Sequence, residues 1–151
     1  MPQDLTPLDA TEESAWRALA RFFVTLPRLL DEDLQRGTHI SLSAYSVLVH
    51  LSEAPGWKLR MTELANHAYL SGSRTTRLVD ELIADKLVRK ERNPADGRGF
   101  DVTLTQEGMA ALQRAYPIHL RSVRARVLDH VEPSALPCFA KTVIAIAESF
   151  E

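Results

Sequence analysis

A single cysteine, Cys138, stands in this chain of 151 residues, so no intrachain disulfide can hold the fold together. That scarcity fits a reducing compartment, and a cytoplasmic location is expected. No apolar run approaches the ~20 residues that a membrane span needs. The stretch from Met1 to Thr11 is acidic and carries proline; it lacks the basic start and apolar middle of a secretory leader and reads as a short lead-in. Five histidines, His39, His50, His67, His119 and His130, are dispersed and share no ligand spacing with one another or with Cys138. Neither a metal nor another cofactor is expected. Also missing are a nucleophile–base constellation and a phosphate-cradling glycine loop, so the chain does not read as an enzyme. Internal repeats and low-complexity tracts are absent as well.

What is present suits one domain with a real core: 45% of the residues are hydrophobic and 25% charged, on a chain long enough to bury them. The net charge is −2, which argues against indiscriminate attraction to polyanions. The charge is unevenly placed, however. From Lys58 to Gly99 there are nine Lys/Arg against six Asp/Glu, and elsewhere nine against fourteen. The middle is basic and the ends are acidic.

Helical periodicity dominates. Trp16, Leu19, Phe23, Leu26, Leu30 and Leu34 fall on one face of a helix from Glu12 to Gln35, stopped by Gly37 and kinked or split at Pro27. Ser43 is expected to cap a second helix, with Leu42 and Val47 as its flanking apolar pair. Ala54, Pro55 and Gly56 end it. Thr62 is expected to cap a third, short helix ending near Tyr69. Ser71 caps a fourth, reaching about Lys86. Placed at 100° steps, this fourth helix turns Thr75, Leu78 and Leu82 inward; Ser73, Thr76 and Arg77 point outward, with Arg74 on the flank.

The period then changes. Leu87 to Arg92 reads as a strand, Asn93 to Gly99 as a turn, and Phe100, Val102 and Leu104 alternate with Asp101 and Thr103. This is a β-hairpin. Thr105 caps a long fifth helix to about His130, kinked at Pro117, and Pro133 is placed in the first turn of a last helix. The order gives a mainly α fold with a small β-hairpin wing: a winged helix-turn-helix over residues 43–104, flanked by helices at 12–36 and 106–151. Phe22, Phe23 and Leu26 at one end, and Phe139, Val143, Ile146 and Phe150 at the other, form stripes broader than one chain of this size covers. They point to a homodimer.

A helix that reads DNA must bring small polar and cationic side chains to base edges in a groove ~12 Å wide. Ser73, Arg74, Thr76 and Arg77 supply these, and Ser71 leaves the helix amides facing phosphate. A solvated amphipathic helix would carry the same residues, so this helix alone does not decide. On the hairpin, Arg98 at the tip suits a minor groove, Asp96 can orient its guanidinium, and Lys90 and Arg92 on the stem suit phosphates.

The run DGRGFDVTLTQEG from Asp96 to Gly108 resembles the wing signature of the multiple-antibiotic-resistance regulator (MarR) family. MTELA from Met61, SGSRTTRLVDEL from Ser71 and LVRKER from Leu87 are similar as well. The resemblance implies a homodimer with intertwined terminal helices and two winged lobes on a pseudo-palindromic double-stranded operator. It places Ser73, Arg74, Thr76 and Arg77 in the major groove and Arg98, oriented by Asp96, in the minor groove. It also implies a repressor relieved by a small aromatic or phenolic effector, for which Trp16, Tyr45, His50, Tyr116 and His119 are the candidate liners. Two other readings stay open: a winged-helix module that binds protein without specific DNA binding, and a redox-responsive regulator acting through Cys138. A buried, inert thiol is the expectation for that cysteine.

Overall fold

A computed structural model describes residues 6–93 and 99–150. Six α-helices and three strands follow in the order α1 (Ala10–Thr38), α2 (Leu42–Glu53), β1 (Lys58–Arg60), α3 (Met61–His67), α4 (Gly72–Ala84), β2 (Val88–Arg92), β3 (Phe100–Leu104), α5 (Gln106–Arg126) and α6 (Leu136–Glu148). Single 3₁₀ turns lie at Pro55–Trp57 and Leu128–His130. Among the described residues no helix is long and apolar enough to cross a membrane.

Several boundaries differ from the sequence expectation, each for a tertiary reason. Helix α1 runs unbroken through Pro27 and past Gly37, to end at His39 in the left-handed region (φ 61°). Gly37 is not a stop; a Cβ there would come within 2.5 Å of Ile118 Cδ1, so the glycine serves the close approach of α1 and α5. Helix α2 is capped by Ser41, not Ser43: its Oγ accepts from Ala44 N at 3.1 Å. The earlier start is fixed from outside, because Asp31 on α1 accepts from Leu42 N at 2.7 Å. The apolar pair flanking this cap is then Ile40 and Tyr45, both buried. Helix α3 begins one residue before Thr62, with Arg60 at the cap position and Glu63 Oε2 accepting from Arg60 N at 3.0 Å.

The wing is a three-stranded sheet rather than a hairpin alone, in the order β1-β3-β2. Strand β1 pairs antiparallel with β3 (Lys58↔Thr103, Leu59↔Val102, Arg60↔Asp101), as does β2 (Val88↔Leu104, Lys90↔Val102, Arg92↔Phe100). Helix α5 ends at Arg126 instead of His130 and also continues through Pro117. Helix α6 starts after Ala135, so Pro137 rather than Pro133 lies in its first turn.

One cluster of buried side chains joins α1, α2, α3, α4, the sheet and α5 through Leu34, Leu48, Leu64, Val79, Val102 and Leu112. Between α1 and α5 lies a polar clamp. Asp33 Oδ2 accepts from Ser122 Oγ (2.6 Å) and from Arg126 Nη2 (2.7 Å) and Nε (3.0 Å). These hydrogen bonds, Ser122 first and then Arg126, hold the Asp33 carboxyl below its ordinary value of 3.8. The junction of α4, β2 and α5 is equally specific. Thr105 N and Oγ1 donate to Leu87 O, while Thr105 Oγ1 accepts from Gly108 N at 2.9 Å. A Cβ on Gly108 would stand 2.1 Å from Leu87 O, so only glycine fits there.

The two ends of the chain are different. No residue of α6 is buried, and Trp16, Phe22, Phe23 and Val24 on the first half of α1 are exposed. Cys138 on α6 is exposed too, against the expectation of a buried thiol. That expectation needed a second surface to cover α6, which one chain does not provide.

Candidate nucleic-acid interface

Helix α4 separates its faces sharply. Thr75, Leu78, Val79 and Leu82 are buried, and Thr75 Oγ1 satisfies itself on Ser71 O at 3.0 Å. Ser73, Arg74, Thr76 and Arg77 are all exposed. Ser71 caps the helix by accepting from Arg74 N at 3.4 Å, and its Oγ lies 3.3 Å from Ser73 Oγ. Thr76 Oγ1 donates back to Gly72 O at 3.0 Å, which leaves its lone pairs outward. Arg77 Nε leans on Glu81 Oε1 at 3.3 Å, a weak exposed pair that a better anion can displace. Arg74 has no carboxylate partner among the described residues. The sequence-expected reading face is thus assembled on one rigid helix, small hydroxyls beside two guanidiniums.

The wing stem is tied more closely to α4 than its sequence suggested. Lys90 Nζ lies 3.6 Å from Asp80 Oδ1 on α4 and 5.0 Å above the ring of Phe100. Arg92 Cζ lies 5.9 Å from the same ring. Phe100 is therefore exposed beneath two cations rather than in the core, whereas its neighbour Asp101 is buried and accepts from Asn93 Nδ2 at 2.8 Å. Alternation alone groups Phe100 with Val102 and Leu104, yet it is Asp101 that is buried beside the latter two. Asn93 and Asp101 were missed as the polar base of the wing, although their turn-forming and acidic characters were the available signal. Asn93 N also donates to Gly99 O at 3.0 Å across the loop. Asp96 and Arg98, the expected tip pair, lie outside the described residues.

The effector candidates divide. Tyr45 and Tyr116 line one cavity of about 360 Å³ between α2 and α5, with Val49, Ser52, Glu53 and Leu112. The His119 ring lies tilted beside Tyr45, ring centroids 4.5 Å apart. Burial lowers the His119 imidazole below its ordinary 6.5, and its buried Nδ1 has no hydrogen-bond partner among the described residues. Burial likewise raises the Tyr45 phenol above 10.0, with Tyr116 and Glu53 adding to the effect. His50 faces elsewhere, stacked on His67 of α3 at 5.5 Å, and Trp16 is on the exposed half of α1. The structure brings together Tyr45, Tyr116 and His119 and leaves the other two outside. No group of three or more potential metal ligands occurs among the described residues.

Comparison with known proteins gives a consistent result. Residues 40–99 match the sequence profile of the MarR family. Sco3205 from Streptomyces coelicolor, a MarR family transcriptional regulator crystallised in complex with DNA, is 35% identical; the match covers 97% of this chain and 92% of that one, with a TM-score of 0.89. AbsC, a MarR family transcriptional regulator from the same organism, is 32% identical over 97% of this chain and 98% of that one, with a TM-score of 0.87. The HTH-type transcriptional repressor YetL of Bacillus subtilis is 29% identical over 105 residues, 70% of this chain and 62% of that protein. The matched segment thus spans less than two thirds of YetL.

Proposed function

From the premise that the chain belongs to the MarR family of transcriptional regulators, we propose that it binds a pseudo-palindromic operator as a homodimer and represses transcription until a small aromatic or phenolic effector binds. The exposed face of Ser73, Arg74, Thr76 and Arg77 on α4, backed by a fully packed inner face, carries the reading. Arg77 and Arg74 offer the bidentate fork that matches guanine O6 and N7, and the serine and threonine hydroxyls allow close approach to base edges. Ser71 and the α4 amides take a phosphate. Arg92 and Lys90 approach the backbone from the wing stem, and Arg98, oriented by Asp96, enters the minor groove. The DNA complex of Sco3205 and the repressor YetL support this assignment.

The uncovered apolar faces of α1 and α6 support the dimer, since exposed apolar area of this extent is typical of an interface. Two lobes must then match successive major grooves about 34 Å apart. The cavity beside Tyr45 and Tyr116 lies where α5 meets the lobe, and an effector there acts by favouring a different lobe spacing. The repressor is assigned to the cytoplasm, where its operator is.

Electrophoretic mobility shift on a duplex selected from a random library by the native protein tests the reading. Arg77→Ala should weaken binding by about 1–3 kcal/mol and relax discrimination at its base. Binding should also fall steeply with salt as phosphate contacts release counterions. If no duplex is enriched, or the bound duplex is indifferent to Arg77→Ala and to salt, DNA recognition by this face is wrong.

A further inference from the structure

The loop between α3 and α4 carries an aromatic residue that neither the fold nor the proposed dimer uses. Helix α3 closes with Tyr69 N donating to Asn66 O (3.1 Å) and Leu70 N to Ala65 O (3.0 Å). This pair of bonds requires a left-handed residue between them, usually glycine. Here the residue is Tyr69, at φ 52°, where a bulky side chain is disfavoured. The ring returns nothing to the fold for that cost. It is 88% exposed, stacks on no ring or cation, and its hydroxyl has no hydrogen-bond partner among the described residues. Trp57 shares the left-handed conformation (φ 58°), but it packs against the core. The other exposed aromatics have uses: Trp16, Phe22, Phe23 and Phe139 lie on the uncovered α1 and α6, Phe150 follows α6 directly, Tyr116 lines the cavity, and Phe100 seats two cations.

Tyr69 is two residues from Ser71, at the end of α4 that also presents Ser73. Beside it, a Cβ on Gly72 would meet nothing within 4 Å, so the surface next to the tyrosine is low and open. A phenol offers an O–H donor on a rigid ring with few torsions to freeze. Phosphate oxygens are the commonest acceptors in protein–DNA contacts, and tyrosine is among their donors. We propose that Tyr69 grips the operator backbone, its hydroxyl donating to a phosphate oxygen beside the start of α4 and so fixing the depth at which the reading face sits. This contact rests on the DNA-binding reading above.

The proposal carries an unusual signature, because the same substitution should help the fold and harm the function. In the full chain, Tyr69→Gly relieves the left-handed strain and should raise Tm by about 2–5 °C. It should lower affinity for the selected duplex about tenfold, as expected for a lost hydrogen bond to a charged group. Tyr69→Phe should lose similar affinity with no gain in Tm. Because the phenol is neutral, neither change should alter the slope of log affinity against log salt, whereas Arg74→Gln should make it shallower. Native affinity in Tyr69→Gly or in Tyr69→Phe overturns the contact. If Arg77→Ala still weakens binding in that case, only the tyrosine assignment has failed; if no duplex is selected at all, both readings fall.

Discussion

The winged lobe and the terminal helices answer the hydrophobic effect in opposite ways. In the lobe, α2, α3 and α4 bury Leu48, Leu51, Leu64 and Val79 completely, and their caps and turns are satisfied from within the chain. In α6, Leu136, Phe139, Val143, Ile144 and Ile146 remain exposed, and a short isolated helix of this kind is unstable in water without tertiary packing. The lobe is finished by one copy of the sequence, and the termini are not. Apolar stripes left open on two separate helices, against scattered exposed residues such as Tyr69 and Ile83 on the lobe, are what support placing the second copy of the proposed dimer at the termini.

The largest effect that would break this contrast is on the proposed dimer. Val143→Asp combined with Ile146→Asp puts charges into the α6 stripe. It should yield a monomer in sedimentation equilibrium at micromolar concentration and reduce operator affinity by more than about 100-fold, as one of two half-sites is lost. A native chain that is itself monomeric there would end the argument.

Within the lobe, Gly108→Ala should cost about 3 kcal/mol in urea unfolding, because its Cβ meets the Leu87 carbonyl, which is backbone and cannot move aside. A cost below about 0.5 kcal/mol would show that the α4–α5 junction yields. A smaller effect is expected at His119, where burial lowers the folded pKa below 6.5. The unfolded state then binds the proton more readily, so the stability held by the neutral ring is present above pH 6.5 and is lost as pH falls below it. Replacing the ring by phenylalanine should flatten that acid limb; an unchanged limb would place its origin elsewhere. The smallest effect is expected at Cys138. It is exposed on α6, and Cys138→Ser should leave operator binding and its response to peroxide unchanged. A peroxide response abolished by this variant would favour the redox reading.

How much was legible depended on whether the cause was local. The two faces of α4 could be read because Ser71, Thr75, Leu78 and Leu82 keep a helical spacing and the cap is a serine. Strand β1 could not, since three residues are too short to show an alternation and Lys58–Arg60 becomes a strand only by pairing with β3. The cap of α2 moved to Ser41 because Asp31, eleven residues before Leu42, supplies the acceptor. Gly37 reads locally as a stop although its role is contact with Ile118, and a period-two pattern cannot show that Asp101 is buried with Asn93 as its donor. In the effector set, Tyr45, Tyr116 and His119 converged because α2 and α5 pack together, a long-range fact. The left-handed state of Tyr69 was invisible, because nothing about a tyrosine announces it. Of the wing signature from Asp96 to Gly108, Thr105 and Gly108 weld a junction, while Asp96 and Arg98 lie outside the described residues.

That weld has a mechanical consequence. With Thr105 bonded to Leu87 and no room for a Cβ at Gly108, the start of α5 and the end of α4 cannot hinge against each other. Helix α5 is then the long arm of a bell crank whose short arm is the helix carrying Arg74 and Arg77. In the proposed dimer, a small swing at the far end of α5, near Arg126, would be delivered at the other arm as a rotation of the whole lobe, so that the gauge between the two lobes could be reset without deforming either.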